Sequence, residues 1–211
     1  MIPHKTESYG SRPDPEENAA IPHCTLKMFP EETLHCVEWA KDMFGTYYSL
    51  NPQNFNKLKN AALHEVGFNQ FTEQKNIKKA IRMAEQLPKD FNGCIEKARH
   101  KFHKLYHNDI LQLLHVYPLD KVTKEGRPFW SLPKRPPKAQ VFDQANSIHR
   151  NFIAAYACLM ANMYEIKNPY EAPRSEEAKI EMAKIAATVE VKEFKPNEAK
   201  AKEIESAVDK E

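Results

Sequence analysis

The chain contains four cysteines, Cys24, Cys36, Cys94 and Cys158, and nine histidines. No two cysteines stand at C-x-x-C spacing, which argues against a zinc site or a disulfide framework. Cys24 stands apart. It sits in Ile21-Pro22-His23-Cys24-Thr25-Leu26-Lys27-Met28-Phe29-Pro30, and a helical pattern starts immediately afterwards. Proline fixes its own φ and disfavours helix at the residue before it. Pro22 and Pro30 therefore predict a constrained, non-helical approach to a helix N-terminus. Backbone N–H groups and the helix dipole favour the thiolate there, and the thiolate is the nucleophilic form. The competing reading is a packed, unreactive cysteine. A papain-like pairing would also need a histidine and an asparagine or aspartate beside Cys24 in space, and no histidine carries such a signature.

His100, His103 and His107 share a helical face at spacings of three and four, which suits a metal. That face lies away from the apolar stripe, beside Lys104 and Glu96. No carboxylate or cysteine is spaced to complete a site, so a solvated face without metal is expected. Lys134, Arg135 and Lys138 cluster among prolines without interleaved aromatics, a poor nucleic-acid surface and a solvated loop. There is no Walker A, GxGxxG or GxSxG motif, so no nucleotide site is visible.

The elements that must position these residues read as helices. Hydrophobic residues make up 41% of the 211, enough for a sizeable core, and there are only 5 glycines. The formal charge of +2 demands neither a nucleic acid nor a membrane as partner. No run of 18 apolar residues exists, and the N-terminus has no apolar signal-peptide core. A protein of the cytoplasm and nucleus is expected.

Residues 1–20 read as an extended arm. A helix is predicted over 31–44 with Cys36, Val37, Ala40, Met43 and Phe44 on its apolar side and Gly45 as its stop. Asn51 is expected to cap a second helix with Pro52 in its first turn, ending at Gly67, and a weaker helix follows over 69–87. The longest helix runs from Asp90 to about Val116 on the stripe Phe91, Ile95, Ala98, Phe102 and Leu105, with Cys94 beside it. Residues 117–145 are irregular, with Glu125-Gly126 as a turn and Phe129 and Trp130 as buried anchors. A helix over 147–164 has the stripe Ile148, Phe152, Ala155, Leu159 and Met163, with Cys158 near its alanine-rich side. Ser175 caps another helix to about Ala187. Residues 188–196 alternate like a short strand or extended segment, and the charged tail 197–211 is disordered or a marginal exposed helix.

The stretch TESYGSRPDPEENAAIPHCTLKMFPEETLHCVEWAKDMF resembles the catalytic-cysteine half-domain of ubiquitin-activating enzymes. The shared pattern is a T-E-S-Y connector, a D-P-P-E-like element, I-P-x-C-T-L-[KR]-x-F-P, and a helix ending in W-A-[KR]-x-x-F. Further matching segments follow in order: C-I-E-K-A-R-x-K-F over 94–102, I-L-Q-L-L-H-V-Y-P-L-D over 110–120, G-R-P-F-W-S-L-P-K-R-P-P over 126–137, V-F-D over 141–143, the H-x-x-F helix at 149–152, and E-F-K-P over 193–196. The pattern departs at Pro13-Asp14-Pro15-Glu16, and residues 51–88 match weakly.

The resemblance implies an all-α domain over 21–196, a crossover connector over 1–20, and a tail over 197–211 that starts a cysteine-covering loop. It implies Cys24 as the acceptor of ubiquitin from an acyl-adenylate, with Thr25 and Lys27 in support, and transfer onward to a ubiquitin-conjugating enzyme. The implied partners are ubiquitin, conjugating enzymes and the adenylation domains of the same parent chain. ATP and magnesium would act in that parent enzyme and none in this segment, which would not activate ubiquitin unaided. Three alternatives stand: the same domain serving another ubiquitin-like modifier, since H-C-V-E-W-A-K echoes the SUMO branch; a helical interaction module with an inert Cys24; and a metal-binding helical protein. With Cys36, Cys94 and Cys158 all expected on apolar faces, Cys24 is predicted to alkylate fastest in the native state, as read by peptide mass mapping.

Overall fold

The computed structural model describes residues 28–63, Ile81 and residues 87–208. The predicted arm over 1–20, the segment through Lys27, and the helix over 69–87, Ile81 and Leu87 excepted, lie outside the described residues. Among the described residues the structure is helical, and its β-type pairing is one isolated antiparallel bridge between Val122 and Pro128. The all-α expectation holds.

Helix α1 (Thr33–Gly45) does not stop at its glycine. Gly45 keeps helical dihedrals, and the chain runs on through a π-helical turn (Thr46–Leu50) into α2 (Asn51–Leu63). The cause is Pro52. Proline cannot donate to the carbonyl four residues back, and its ring crowds that carbonyl. A wider turn just before it, closed by Asn51 N–H to Thr46 O, absorbs the conflict. Asn51 is therefore a buried helical residue and not a cap.

The predicted long helix is likewise two helices joined by a π turn: α3 (Phe91–His103), the turn Lys104–Asn108, and α4 (Asp109–Val116). Asp90 caps α3 by accepting from Gly93 N–H at 2.8 Å. Phe91, Cys94, Ile95, Ala98 and Phe102 are buried as the stripe predicts, and Leu105 is half-buried.

Helix α5 (Ser147–Met163) lies along α3, and α6 (Glu176–Thr188) packs on both. Asn146 and Ser175 cap them through their side-chain oxygens. The main core joins Ile95, Ala98 and Phe102 of α3 to Ile153, Ala157 and Met160 of α5 and Met182 and Ala186 of α6. The predicted stripe of α5 is rotated from the real one. Ile148 is 75% exposed, whereas Ile153, Ala154, Ala157 and Ala161 are buried. This helix is apolar nearly all round, so periodicity cannot orient it. Close approach decides, and small side chains permit it.

The tail is not a marginal exposed helix. Helix α7 (Glu198–Val208) docks on α4 through buried Ala201, and buried Gln112 of α4 grips its start. Gln112 Nε2 donates to Asn197 O at 3.1 Å, and Asn197 N–H donates to Gln112 Oε1 at 2.9 Å.

Two extended straps are fixed to α3 and the turn after it by histidines. His103 Nε2 donates to Lys192 O at 3.1 Å, and residues 189–196 follow α6 as non-helical chain, with no strand pairing among the described residues. His107 Nδ1 donates to Gln140 O at 3.0 Å. The two rings stack at 4.7 Å. This corrects the solvated-face reading: both side chains are half-buried and hold backbone. Burial holds His103 below the ordinary histidine range despite its bond to Lys192, and His107, Arg99 and His100 push the same way. Folded protein therefore binds fewer protons there than unfolded chain. The associated stability is present above the unfolded histidine range and is lost as pH falls through it. The urea midpoint is expected to drop between about pH 7.5 and about pH 5.5, and to drop less in His103→Asn. An equal drop in both proteins would contradict the strap.

Candidate functional site

Cys24, Thr25 and Lys27 lie outside the described residues. What the structure describes is the seat on which their segment ends. Phe29, five residues beyond Cys24, is 5% exposed. Its ring meets Tyr117 at 5.9 Å, Phe129 at 5.7 Å and Trp130 at 5.8 Å, each edge-on. Tyr117 and Phe129 stack at 4.3 Å and 2°. The Lys134 ammonium stands 5.1 Å from the Phe29 ring and 5.0 Å from the Phe129 ring. Aromatic pairs of this kind contribute about 0.5–1.5 kcal/mol each beyond their buried area.

The local sequence explains the clamp. Tyr117 ends α4, and Pro118 cannot continue the helix. The chain then returns as a tight hairpin. Gly126 takes φ +78°, Thr123 N–H donates to Arg127 O, and Phe129 N–H donates to Lys121 O at 2.8 Å. This return lays Phe129 on Tyr117 and lets Trp130 Nε1 donate to Tyr117 O at 3.0 Å. Leu113 and Val116 of α4 and Ala201 of α7 complete the small core under Phe29. Phe129 and Trp130 are thus the anchors the sequence predicts. Lys134 departs from the expected solvated loop, because its stem and charge rest on rings.

A cleft of about 510 Å³ opens beside the clamp, between Met28 and Pro30 on one side and Trp39, Met43 and Tyr47 on the other. Its polar floor is Asp109, paired with Lys104 at 3.0 Å and Lys200 at 4.0 Å. Helix α1 buries no residue. Its inner seam is Trp39, Met43 and Tyr47, and Lys101 Nζ stands 3.4 Å from the Tyr47 ring. Tyr48 meets Tyr156 at 6.0 Å. Burial, with Asp109 and Asp42 nearby, pushes the Tyr47 hydroxyl up to about 12, and burial also raises Tyr48 and Tyr156.

The cysteines divide differently from expectation. Cys36 is exposed, as are Val37, Ala40 and Phe44, because the seam runs along Trp39 and Met43 and turns that apolar side outward. Cys94 is fully buried, and burial pushes its thiol up to about 11. Burial also raises Cys158, against the pull of Asn168, whose Nδ2 lies 3.5 Å from the sulfur. Neither is a thiolate at neutral pH. Among the described residues no group of three His, Cys, Asp or Glu is placed to hold a metal ion. Sequence reasoning missed Phe29 and Trp39 as site residues. The signal was Phe29 close after Cys24 and the aromatic pair Phe129-Trp130 a hundred positions later.

The segment that carries Cys24 and the segment containing Phe129-Trp130-Ser131 thus meet in space, on an all-helical frame. The chain matches the ubiquitin-activating enzyme SCCH domain over residues 30–211, and it belongs to that family. It is 37% identical over 202 residues to human ubiquitin-like modifier-activating enzyme 6, covering 93% of this chain and 19% of the relative. It is 40% identical over 204 residues to ubiquitin-like modifier-activating enzyme 1 of Dictyostelium discoideum, covering 95% and 19%. It is 39% identical over 171 residues to ubiquitin-activating enzyme E1 1 of Schizosaccharomyces pombe, covering 80% and 17%. The chain spans about a fifth of the length of the curated relatives it matches.

Two outcomes follow. Phe29→Ala should cost about 3–5 kcal/mol in urea unfolding, since it empties the centre of an aromatic cluster; a cost near zero would contradict the clamp. In native alkylation, Cys36 should label readily while Cys94 and Cys158 stay protected, which revises the expectation that three cysteines are shielded. Protection of Cys36 would contradict the exposed face of α1.

Proposed function

We propose that this chain is the thioester-forming domain of a ubiquitin-activating enzyme, with Cys24 as the acceptor. The observation that carries this reading is the Phe29 clamp. It fixes the chain five residues after Cys24 against the second segment of the resemblance. An extended chain spans at most about 3.3–3.6 Å per residue, so covalent geometry alone tethers the Cys24 backbone within roughly 18 Å of the Phe29 seat. The matched stretch with the Dictyostelium relative leaves too few residues outside it to exclude position 24. Family membership supports the chemistry.

The reaction runs in two exchanges. The Cys24 thiolate attacks the C-terminal acyl carbon of the adenylated modifier. A C–S bond forms, the C–O bond to the AMP phosphate breaks, and AMP leaves with the electron pair; the thiol proton has already gone to solvent or a nearby base. A cysteine thiolate of a conjugating enzyme then attacks the same carbon, and Cys24 departs as thiolate. A thiol suits both steps because it is a good nucleophile and a good leaving group. Thr25 and Lys27 are assigned to orienting the thiol's surroundings. ATP and magnesium serve the adenylation step on other domains of the longer enzyme. The connector over 1–20, the tail's part in covering the cysteine, and residence in cytoplasm and nucleus belong to the same proposal.

The relatives' names include ubiquitin-like modifiers, so a related modifier is the second reading. The test is a non-reducing gel of the full enzyme with ubiquitin, ATP and magnesium. A thiol-sensitive adduct lost in Cys24→Ala, with adenylate formation retained, is expected. An adduct that survives the substitution would move the chemistry elsewhere and leave this chain as scaffold.

A further inference from the structure

Everything from Pro118 to Pro128 is exposed, yet the segment is rigidly built. Thr123, Gly126 and Phe129 close it with backbone bonds of 2.8–2.9 Å, and its base is the Tyr117–Phe129 stack. A surface loop so well ordered exposes unusual side chains. Leu119 is 67% exposed and Val122 58%, and Leu132, just beyond the base, is 82% exposed. Around them stand Lys121, Lys124, Arg127 and Arg135, none of which makes an ion pair among the described residues. Residues 117–138 hold six basic and two acidic side chains, whereas the whole chain carries only +2. The hairpin itself sets Lys121, Lys124 and Arg127 against Asp120 and Glu125, and Arg135 follows Leu132 three positions on.

We propose that the 118–128 hairpin, with Leu132, is a docking element for a soluble protein that presents carboxylates around a small apolar depression. Within the functional reading above, on which this rests, that protein is the conjugating enzyme that collects the thioester. Charge complementarity selects an acidic partner. The small number of apolar groups selects a transient one, since a permanent neighbour would bury a larger apolar core. A pre-ordered hairpin with unpaired cations favours fast, salt-sensitive encounter at little ordering cost. Position supplies the remaining link: the hairpin grows from the clamp that holds Phe29, so a protein caught there docks next to the seat from which the Cys24 segment is tethered.

The test uses the full enzyme, loaded with modifier, and a conjugating enzyme as acceptor. Lys121→Glu combined with Lys124→Glu and Arg127→Glu should raise KM for the conjugating enzyme roughly tenfold at low salt and flatten its salt dependence. Val122→Ser with Leu132→Ser should raise KM without changing the salt slope. Neither set should alter kcat of transfer or the rate at which the thioester forms on Cys24. An unchanged KM in both sets would overturn the proposal. So would a slowed thioester formation with normal KM, which would make the hairpin a contact to another domain of the same enzyme. A parent enzyme whose adduct survives Cys24→Ala would instead sink the functional reading, independently of the KM result.

Discussion

The smaller of the two cores is gathered around one buried ring. Phe29 lies at the junction of three pieces of chain: the short segment leading from Cys24, the returning loop of Phe129 and Trp130, and the α4–α7 pair. Each piece is weak alone. The hairpin has only a few backbone bonds, α7 has little apolar surface, and α1 buries no residue. Edge-on packing around Phe29 makes them mutually dependent, so loss of one exposes the apolar face of the others. The main core of α3, α5 and α6 is larger and does not require Phe29. It serves as the frame from which the clamp is hung.

The two π turns follow from the same division of labour. One precedes Pro52 and relieves it; the other lies between α3, which belongs to the main core, and α4, which belongs to the clamp. At each turn the chain stays helical and no loop intervenes. Tyr47 and Tyr48 sit in the first and rest on Lys101 and Tyr156, which is how α1 is attached to the frame. The histidine bonds to Lys192 and Gln140 then tie down the two straps that flank α3. The result is a bonded frame of α3, α5 and α6 that carries a lightly held N-terminal helix, since α1 buries no residue.

Much of this was legible in the residues. The α3 stripe from Phe91 to Phe102, the helix start at Asp90, the Ser175 cap and the anchoring role of Phe129 and Trp130 follow from spacing and residue type alone. What failed did so for identifiable reasons. Gly45 looked like a stop because glycine ends many helices, but Pro52 is accommodated by a wider turn and not by a break. The stripe of α5 was assigned to the larger side chains, whereas alanines such as Ala154, Ala157 and Ala161 let the helix approach its neighbours. Cys36 was grouped with Met43 when the inner seam runs Trp39–Met43–Tyr47. His103 and His107 bond to carbonyls far away in sequence, which no local pattern reveals. Family membership came from motif identity and could not have come from periodicity.

The most direct test of the central claim, that the Phe29 clamp positions the acceptor segment, is single-turnover thioester formation by the full enzyme carrying Phe29→Ala. Adenylate formation serves as the internal control, and a temperature at which the variant remains folded is required. The account predicts normal adenylate formation with thioester formation slowed by roughly tenfold or more, since a displaced nucleophile loses rate steeply, and substantial recovery in Phe29→Tyr. Thioester formation at the normal rate in folded Phe29→Ala would show that the segment finds its place without the clamp, and would contradict the account.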